Sequence, residues 1–273
     1  NFIELGPGKG TLLIDIINIT KLFKNFQELT NIKLIEKNIE LIKIQKHNIK
    51  KNGLSFINIK WLNDFNIKNK LPTIILANEF FDCLPIRQFH KKNNQIFEKK
   101  IIYDEISKNI KHVEKLILNK KLLLKINKYP FDNILEISKE RDKYFDKICK
   151  HIKIHGGMMI LIDYGYYERP NHLTLQSLYN NKKSNILDNI GKQDITSLVD
   201  FKRMIDLTKK NKLNIDLFCS QRDFLINHGI YKRADKINKN SSAQQKKDLL
   251  DGLLRLTDDK SMGSIFKVLV ISK

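Results

Sequence analysis

The chain has 273 residues, and 50 Lys and Arg against 30 Asp and Glu give it a formal net charge of +20. With 41% hydrophobic and 29% charged residues it falls among globular proteins, which excludes a disordered or fibrous chain. No apolar run approaches the ~20 residues that a membrane-spanning helix needs, so we expect no membrane span. The cysteines (Cys83, Cys149 and Cys219) are far apart, and we expect neither a disulfide framework nor a metal site.

The positive charge is carried by lysine. Only 7 of the basic residues are Arg and 43 are Lys, and these lysines are spread along the whole chain. Proteins that read nucleic-acid bases rely on the planar guanidinium of arginine. We therefore interpret the charge as a lysine-rich solvated surface and expect no nucleic-acid partner.

Over the first 165 residues, short apolar runs alternate with amphipathic stretches. The predicted strands cover residues 1–5, 32–35, 56–61, 73–77 and 157–164. The predicted helices begin at 11 and cover 39–50 and 138–152. Strands that alternate with helices indicate parallel βαβ units. We predict an α/β, Rossmann-like fold with a doubly wound, mostly parallel sheet, an inserted hairpin and a helical cap.

Two insertions interrupt this pattern. In the first, at about 86–131, residues 87–103 predict a β-hairpin that turns at 91–94. The second, at about 166–200, is polar and too long for a simple connection, so we predict a cap or lid there. The tail predicts helices at 201–209 and 247–256 and strands at 213–217 and 264–271, all within one domain spanning 1–273.

A glycine-rich loop, Glu4-Leu5-Gly6-Pro7-Gly8-Lys9-Gly10-Thr11, joins the first predicted strand to the first helix. Glycines let the backbone approach a ligand closely, and the helix N-terminus supplies free N–H groups. Lys9 is followed by Gly10, where a Walker A loop needs Ser or Thr. The G-x-G-x-G spacing also differs from the dinucleotide fingerprint, G-x-G-x-x-G. The form E-x-G-x-G-x-G is the one that S-adenosyl-L-methionine methyltransferases use.

Three acidic residues complete the predicted cofactor site around these three glycines. Glu4 would hold the ammonium group of the cofactor, whose methionine part the loop would wrap. Glu36, at the end of the second strand, would accept hydrogen bonds from both ribose hydroxyls, and Asp64, past the third strand, would lie near the adenine. The alternative is a tight strand-to-helix turn that binds no ligand.

The fourth predicted strand runs into Asn78-Glu79-Phe80-Phe81-Asp82. In open α/β sheets, ligands bind outside the carboxyl ends of the strands. Two carboxylates flanked by aromatic rings suit a planar guanidinium, so we assign substrate binding to Phe80 and Phe81. Catalytic roles fall to Asn78, Glu79 and Asp82, with Glu79 orienting the acceptor nitrogen and Asn78 also contacting the cofactor. The alternative is a capped helix start with both Phe rings in the core.

The fifth predicted strand ends in Asp163-Tyr164-Gly165-Tyr166, a second polar cluster at the same edge. We expect Asp163 and Tyr164 to line the acceptor pocket; the alternative is a strand end that turns through Gly165. For Cys83, which follows the first cluster, we predict burial as a small hydrophobic residue.

With these motifs placed, the chain resembles the MidA family of S-adenosyl-L-methionine-dependent methyltransferases, which includes a mitochondrial complex I assembly factor that methylates an arginine. The resemblance covers nearly the whole chain, and its specific stretches are N-E-F-F-D-x-L-P at 78–85 and D-I-T-x-x-V-D-F at 194–201. Further matching stretches are 4–12, 34–36 followed by Gln45, 135–138, 162–166, 175–176, 220–221 with 224–225, and 262–269.

The resemblance implies an S-adenosyl-L-methionine cofactor, methylation of an arginine on a protein substrate and a role in assembling respiratory complex I. It also assigns Asp200 to the substrate site. A homodimer and a bacterial cytoplasm, with the mitochondrial matrix as the alternative, complete these expectations. Two departures stand out: Lys9 replaces a usual Arg, and Ser197-Leu198 replaces a frequent Ala-His. Because Asn1 already lies inside a predicted strand, we expect the native N-terminal segment to be missing.

Other functions stay open at this point. A non-enzymatic assembly chaperone could retain the fold and hold a client subunit. A nucleic-acid methyltransferase could use Asn78 and the aromatic residues after it to hold a base amine, although the Glu79 carboxylate argues against this. A nicotinamide-dependent oxidoreductase is disfavoured by the spacing of the glycines.

Overall fold

The computed structural model describes residues 1–23, 26–129, 131–180, 182–239 and 241–273. Its strands are β1 (Phe2–Leu5), β2 (Ile32–Ile35), β3 (Ile59–Leu62), β4 (Thr73–Asn78), β5 (Arg87–Lys92), β6 (Gln95–Asp104), β7 (Asn109–Leu116), β8 (Ile134–Ile137), β9 (Gly157–Tyr166), β10 (Gln176–Tyr179), β11 (Lys182–Ser184), β12 (Asp194–Thr196), β13 (Val199–Asp200), β14 (Asn214–Ser220) and β15 (Phe266–Ser272). Its helices are α1 (Thr11–Thr20), α2 (Phe26–Leu29), α3 (Ile39–Lys51), α4 (Lys120–Ile126), α5 (Lys139–His155), α6 (Phe201–Lys210), α7 (Gln221–Asn227), α8 (Ile230–Asn238), α9 (Ala243–Thr257) and α10 (Met262–Ile265).

The main sheet has the strand order β14-β15-β9-β4-β1-β2-β3, with β13 paired to β9. Strands β3, β2, β1, β4 and β9 are parallel to their neighbours. Only β15, inserted between β9 and β14, runs antiparallel to both. The predicted α/β fold with a mostly parallel sheet is confirmed, and the carboxyl ends of β1, β2, β4 and β9 meet at one edge.

Helices cover both faces of this sheet, which is why its central strands are apolar on both sides. On one face, Leu5 and Ala77 pack with Phe145 of α5 and Phe201 of α6. On the other face, Phe2, Leu34 and Leu76 pack with residues of α1 and α3. Because side chains alternate along a strand, Glu4 lies on the same face as Phe2, and its side chain is buried.

The inserted segments are mostly β-structure. The hairpin prediction is confirmed by β5 and β6, whose turn contains Asn93 and Asn94 at φ of 49° and 58°. These strands belong to a four-stranded antiparallel sheet, β7-β6-β5-β8, in which β7 and β8 were not predicted. The segment 166–200 contains the small sheet β11-β10-β12, and no helix is present among its described residues. Near the C-terminus, α7, α8 and α9 contact one another, and α10 contacts α7 and α9.

Two strand starts were predicted wrongly by two or more residues. The last strand begins at Phe266 and not at residue 264, because Ser264 and Ile265 lie in α10. The third strand begins at Ile59 and not at residue 56, because Phe56 lies in a turn with 69% of its surface exposed.

No described helix is long and apolar enough to cross a membrane. Within the described ranges, no group of three or more His, Cys, Asp or Glu side chains could hold a metal ion.

Candidate active site

The glycine loop between β1 and α1 has a backbone that only glycine adopts without strain. Gly6, Gly8 and Gly10 have φ of 61°, 54° and 77°, in the left-handed region. A Cβ atom at Gly6 would lie 3.0 Å from the ring of Phe80, whereas a Cβ at Gly8 would have no neighbour within 4 Å. Gly6 is therefore required by close packing, and Gly8 faces open space where a ligand can approach.

Helix α3 holds this loop in place through side chains that sequence reasoning did not assign to the site. Gln45, fully buried, donates from Nε2 to the Gly8 carbonyl at 2.8 Å and accepts from Trp61 Nε1 at 2.8 Å. Asn48 donates to the Lys9 carbonyl at 2.9 Å. A polar residue on the inward face of an otherwise amphipathic helix was the signal that could have identified Gln45.

Glu4 is the most unusual group of the cofactor side. Its side chain is 3% exposed, and its Oε2 atom has no hydrogen-bond partner in the described structure. Burial raises the pKa of this carboxyl to about 7. A buried polar group almost always has a partner, so an unpaired carboxylate beside an open glycine loop indicates that a ligand with a donor group completes the site.

Glu36 and Asp64 lie at the predicted positions after β2 and β3. Glu36 accepts backbone N–H bonds from Lys37 and Asn38 on Oε1, both at 2.9 Å, and a longer bond of 3.4 Å from Gln45 Nε2 on Oε2, which leaves further acceptor capacity on Oε2 for hydroxyl groups. Asp64 is half exposed and pairs with Lys147 at 2.7 Å. Both carboxylates are thus held in position by the protein.

The acceptor side is built at the end of β4. Glu79 has φ of 50°, a left-handed conformation that costs a non-glycine residue about 1–2 kcal/mol, and its N–H donates to the Ile162 carbonyl at 2.9 Å. Its carboxylate is exposed and is approached by the Asn78 amide at 3.4 Å. Desolvation and the neighbouring Asp82 raise the pKa of Glu79. Strain at such a residue is typical of functional sites.

Asp82, Asp163 and Tyr164 form a connected group behind Glu79. Tyr164 donates its hydroxyl to Asp82 Oδ2 at 2.5 Å, and Asp82 Oδ1 is buried without a described partner. Asp163 is fully buried and accepts the backbone N–H groups of Phe81, Asp82 and Tyr164 at 2.9–3.3 Å. Burial raises the pKa of both Asp82 and Asp163.

Arg141 of α5 ties this group to the segment before β13. It is 5% exposed and donates to the carbonyls of Phe81, Asp82, Ser197 and Leu198, and to Ser197 Oγ, at 2.6–2.9 Å. Four backbone carbonyls within reach of one guanidinium hold the two segments together. Leu198, where the MidA family often has His, contributes its main-chain carbonyl, which any residue type would offer.

The structure brings Asn78, Glu79, Asp82 and Tyr164 together, as predicted. Phe80 is half buried, with its ring centre 5.0 Å from that of Tyr144, and it touches Gly6, so it links the cofactor side to the acceptor side.

Three predicted contacts with the acceptor arginine need correction. Phe81 is fully buried against Phe145, so its ring cannot contact a substrate. Asp163 is equally buried and holds backbone instead of lining a pocket. Asp200 caps α6 by accepting the Arg203 N–H at 2.9 Å and lines a separate cavity.

The burial predicted for Cys83 is wrong, because its side chain is exposed. Its thiol donates to the Phe80 carbonyl at 3.3 Å, and desolvation together with Asp82 and Asp163 raises its pKa to about 11. A thiol with so high a pKa is a poor nucleophile at neutral pH.

Residues 1–219 match the sequence model of a family described as S-adenosyl-L-methionine-dependent methyltransferases. The chain is also 27% identical, over 287 residues, to the mitochondrial protein arginine methyltransferase NDUFAF7 homolog of Caenorhabditis elegans, and the match covers 97% of this chain and 66% of that protein. Its identity to the mitochondrial protein arginine methyltransferase NDUFAF7 of Homo sapiens is 27% over 299 residues, covering 97% and 64%. The chain thus spans slightly less than two thirds of the length of these relatives.

The fold is similar to that of a crystal structure from Burkholderia thailandensis bound to S-adenosyl-homocysteine. The TM-score is 0.85 at 20% identity, and the match covers 100% of this chain and 71% of that one. A native structure from the same organism gives a TM-score of 0.86, also at 20% identity. At this identity the likeness shows that the fold is shared.

Proposed function

Because the chain belongs to this family of S-adenosyl-L-methionine-dependent methyltransferases, we propose that it transfers a methyl group to an arginine side chain of a protein substrate. The family resemblance seen in the sequence is confirmed. The observation that carries the proposal is that two carboxylates of different character occur on neighbouring strands, β1 and β4. Glu4, at the glycine loop, is buried with an unsatisfied oxygen, and Glu79, at the end of β4, is exposed.

The residues on the cofactor side fit S-adenosyl-L-methionine. The Oε2 atom of Glu4 has no partner among the described residues, and the cofactor has a cationic ammonium group that can donate to it. Gly8 leaves open space at the loop, and Glu36 offers acceptors to hydroxyl groups. When bound, S-adenosyl-L-methionine supplies an electrophilic methyl group on a sulfonium centre.

On the acceptor side, the chain's own residues orient a guanidinium. Glu79 Oε atoms accept hydrogen bonds from its N–H groups, and Asn78 holds the Glu79 carboxylate through its amide. The raised pKa of Glu79 makes its carboxylate a better proton acceptor than an ordinary glutamate, which suits a nitrogen that must lose a proton when it gains a methyl group. The hydrogen bond from the Tyr164 hydroxyl to Asp82 stabilises the segment that follows Glu79.

Glu79→Gln tests the assignment. We expect kcat/KM for an arginine peptide to fall at least a hundredfold, about 2.7 kcal/mol, because the amide keeps the shape but loses the charge that pairs with the guanidinium. The cofactor Kd, measured by calorimetry, should change by no more than a few fold. Glu105→Gln, an exposed glutamate in the β6–β7 turn, is the control. A variant that loses cofactor binding but keeps transfer at saturating cofactor would remove Glu79 from this role.

We extend the proposal to a subunit of respiratory complex I as the protein substrate, which rests on the resemblance to the MidA family. The names of the relatives say that they are mitochondrial, which supports the mitochondrial matrix as the compartment, and a bacterial cytoplasm is the alternative. Deleting the gene should remove a methylarginine from purified complex I and reduce its assembly. If a Gly8→Val variant that no longer binds cofactor restored assembly fully, the chain would be a chaperone and not an enzyme in this process.

A further inference from the structure

A cavity of about 570 Å³ lies between the inserted sheet, α4 and α6. It is separate from Asn78, Glu79, Asp82 and Tyr164, which we call the acceptor cluster. Asp200 and Tyr166 line it, and so does the beginning of α5 at Lys139. Its volume is in the range of natural ligand pockets. None of the residues assigned above to the cofactor or to methyl transfer lies in its wall among the described residues.

The wall of this cavity has more basic than acidic side chains. Of the seventeen described residues that line it, seven are Lys or Arg and three are acidic. Arg87 and Arg203 are neutralised by Glu98 and Asp142, which lie outside the cavity. Lys125, Lys128 and Lys139 are exposed, and no ion pair involves them within the described part of the chain. The cavity therefore has positive charge available for an anionic ligand.

The wall is also aromatic and aliphatic. The rings of Phe89, Tyr129 and Tyr167 each have the charged group of a Lys or Arg of the wall over them, at 5.1–5.9 Å from the ring centre. The remaining apolar surface comes from side chains such as Leu122 and Ile126. An inorganic anion would leave this apolar surface unused. A peptide with several carboxylates can pair with the lysines and pack its aliphatic parts on the wall, so the lining favours a peptide.

The cavity is close to the acceptor cluster along β9. Tyr166 lines the cavity, and Tyr164, which donates to Asp82, is two residues before it on the same face of the strand, about 7 Å away. Gly165 between them allows β13 to approach, because a Cβ there would lie 2.2 Å from the Val199 carbonyl oxygen. A peptide could therefore occupy both places within a few residues of its own length.

We propose that this cavity binds an acidic segment of the protein substrate, next to the arginine that is methylated. The inference rests on the proposed function in one respect, namely that the bound segment belongs to a methylation substrate. The binding of an acidic peptide to the cavity can be measured without methyl transfer. It makes the substrate class an arginine flanked by Asp or Glu residues. The basic wall discriminates between arginines by the charge of the sequence around them.

Binding is tested with a labelled glutamate-rich peptide that contains no arginine, by fluorescence anisotropy on the full chain. We expect saturable binding that weakens about tenfold in Lys125→Glu/Lys128→Glu. The matched control is Lys68→Glu/Lys70→Glu, with the same change in net charge. Lys68 and Lys70 are exposed and precede the amino end of β4, at the opposite edge of the sheet, so this pair should bind like the wild type. An equal loss in both variants would show non-specific attraction to a +20 chain and overturn the proposal, as would absence of binding.

Methyl transfer is then compared between two arginine peptides, one with acidic flanks and one with neutral flanks. We expect the acidic peptide to have the lower KM, and the ratio of the two kcat/KM values to fall about tenfold in Lys125→Glu/Lys128→Glu. Equal ratios in wild type and variant would overturn the link to the substrate. If neither peptide is methylated while the glutamate-rich peptide still binds at the cavity, arginine methylation has failed and the anionic site stands. Displacement of that peptide by inorganic phosphate at equal concentration would overturn the choice of a peptide.

Discussion

Glu4 and Asp163 are both carboxylates buried at the carboxyl edge of the same sheet, but their surroundings are opposite. Asp163 accepts three backbone N–H groups and lies near the Arg141 guanidinium. Glu4 has an oxygen with no partner in the described structure. A buried charge that the protein itself satisfies holds the fold together, whereas one that it leaves unsatisfied costs stability, and a ligand with a donor group can satisfy it. The difference separates scaffold from binding site within a single edge.

The largest expected effect is on the scaffold side of this comparison. Asp163→Ala removes the acceptor of three buried N–H groups and one of the charges that balance Arg141, so we expect the free energy of unfolding to fall by about 3–5 kcal/mol. Urea unfolding followed by circular dichroism measures the change. Asp216→Ala, an exposed aspartate in β14, should stay within about 0.5 kcal/mol of wild type. A small loss at Asp163 would mean that Arg141 and the backbone hold this edge without it.

Glu4→Gln should have the opposite effect on the free energy of unfolding, because it removes a loss of stability that depends on pH. The pKa of Glu4 is about 7 in the folded protein, above its ordinary value near 4.5, so the folded state keeps a proton that the unfolded state releases between these values. Stability of the wild type therefore falls as pH rises through this window, by about 3 kcal/mol from this group alone. The Gln variant should lack this fall, so the difference in unfolding free energy between the two proteins should grow in the variant's favour from pH 4.5 to 8.

The same substitution should weaken the binding of the cofactor, because a neutral amide lacks the negative charge that pairs with an ammonium group. We expect the Kd for S-adenosyl-L-methionine at pH 8 to rise about thirtyfold or more, equivalent to about 2 kcal/mol. In the wild type, affinity should increase as pH rises through about 7 and Glu4 ionises, whereas the variant should show no such increase. Calorimetry across pH 6–8 measures both. Loss of stability together with unchanged affinity would place Glu4 with Asp163, as a scaffold residue.

The smallest expected effect sharpens the comparison at the loop. Gly8→Ala and Gly53→Ala both place a Cβ in a left-handed backbone, at φ of 54° and 69°, with no atom within 4 Å. Each should cost about 1 kcal/mol of stability through backbone strain. Only Gly8→Ala should also raise the cofactor Kd, several fold, since the turn after α3 that contains Gly53 is not part of the site. Equal cofactor affinity in both variants would mean that the ligand does not approach Gly8.

Much of the cofactor side could be predicted from the sequence because its residues are close together in the chain. The glycines, Glu4 and the helix that follows form one strand–loop–helix unit, and the order of strands and helices fixes which ends share an edge. Gln45 was not predicted as a site residue because its place on the buried face of α3 signals an unusual polar group but does not reveal its partner, Gly8, which lies 37 positions earlier in the chain.

The acceptor side was less predictable, because burial decides the role of each residue there. Phe80 and Phe81 are neighbours of identical chemistry, but successive side chains point in different directions, so one faces Gly6 and the other enters the core. Asp163 and Asp82 likewise differ in what surrounds them. Arg141 gave no signal in the sequence, since its partners are 56–60 positions away.

The sequence by itself determined the fold class, the position of the glycine loop and the positions of the carboxylates within β1 and after β2 and β4, because local patterning and chain order carry that information. Only the tertiary structure decided which carboxylates are satisfied by the protein and which are left for a ligand. It also decided that lysines scattered along the chain, from Lys125 to Lys202, meet around one cavity. Hydrogen-bond satisfaction and charge density depend on distances between residues far apart in the chain, and folding alone sets those distances.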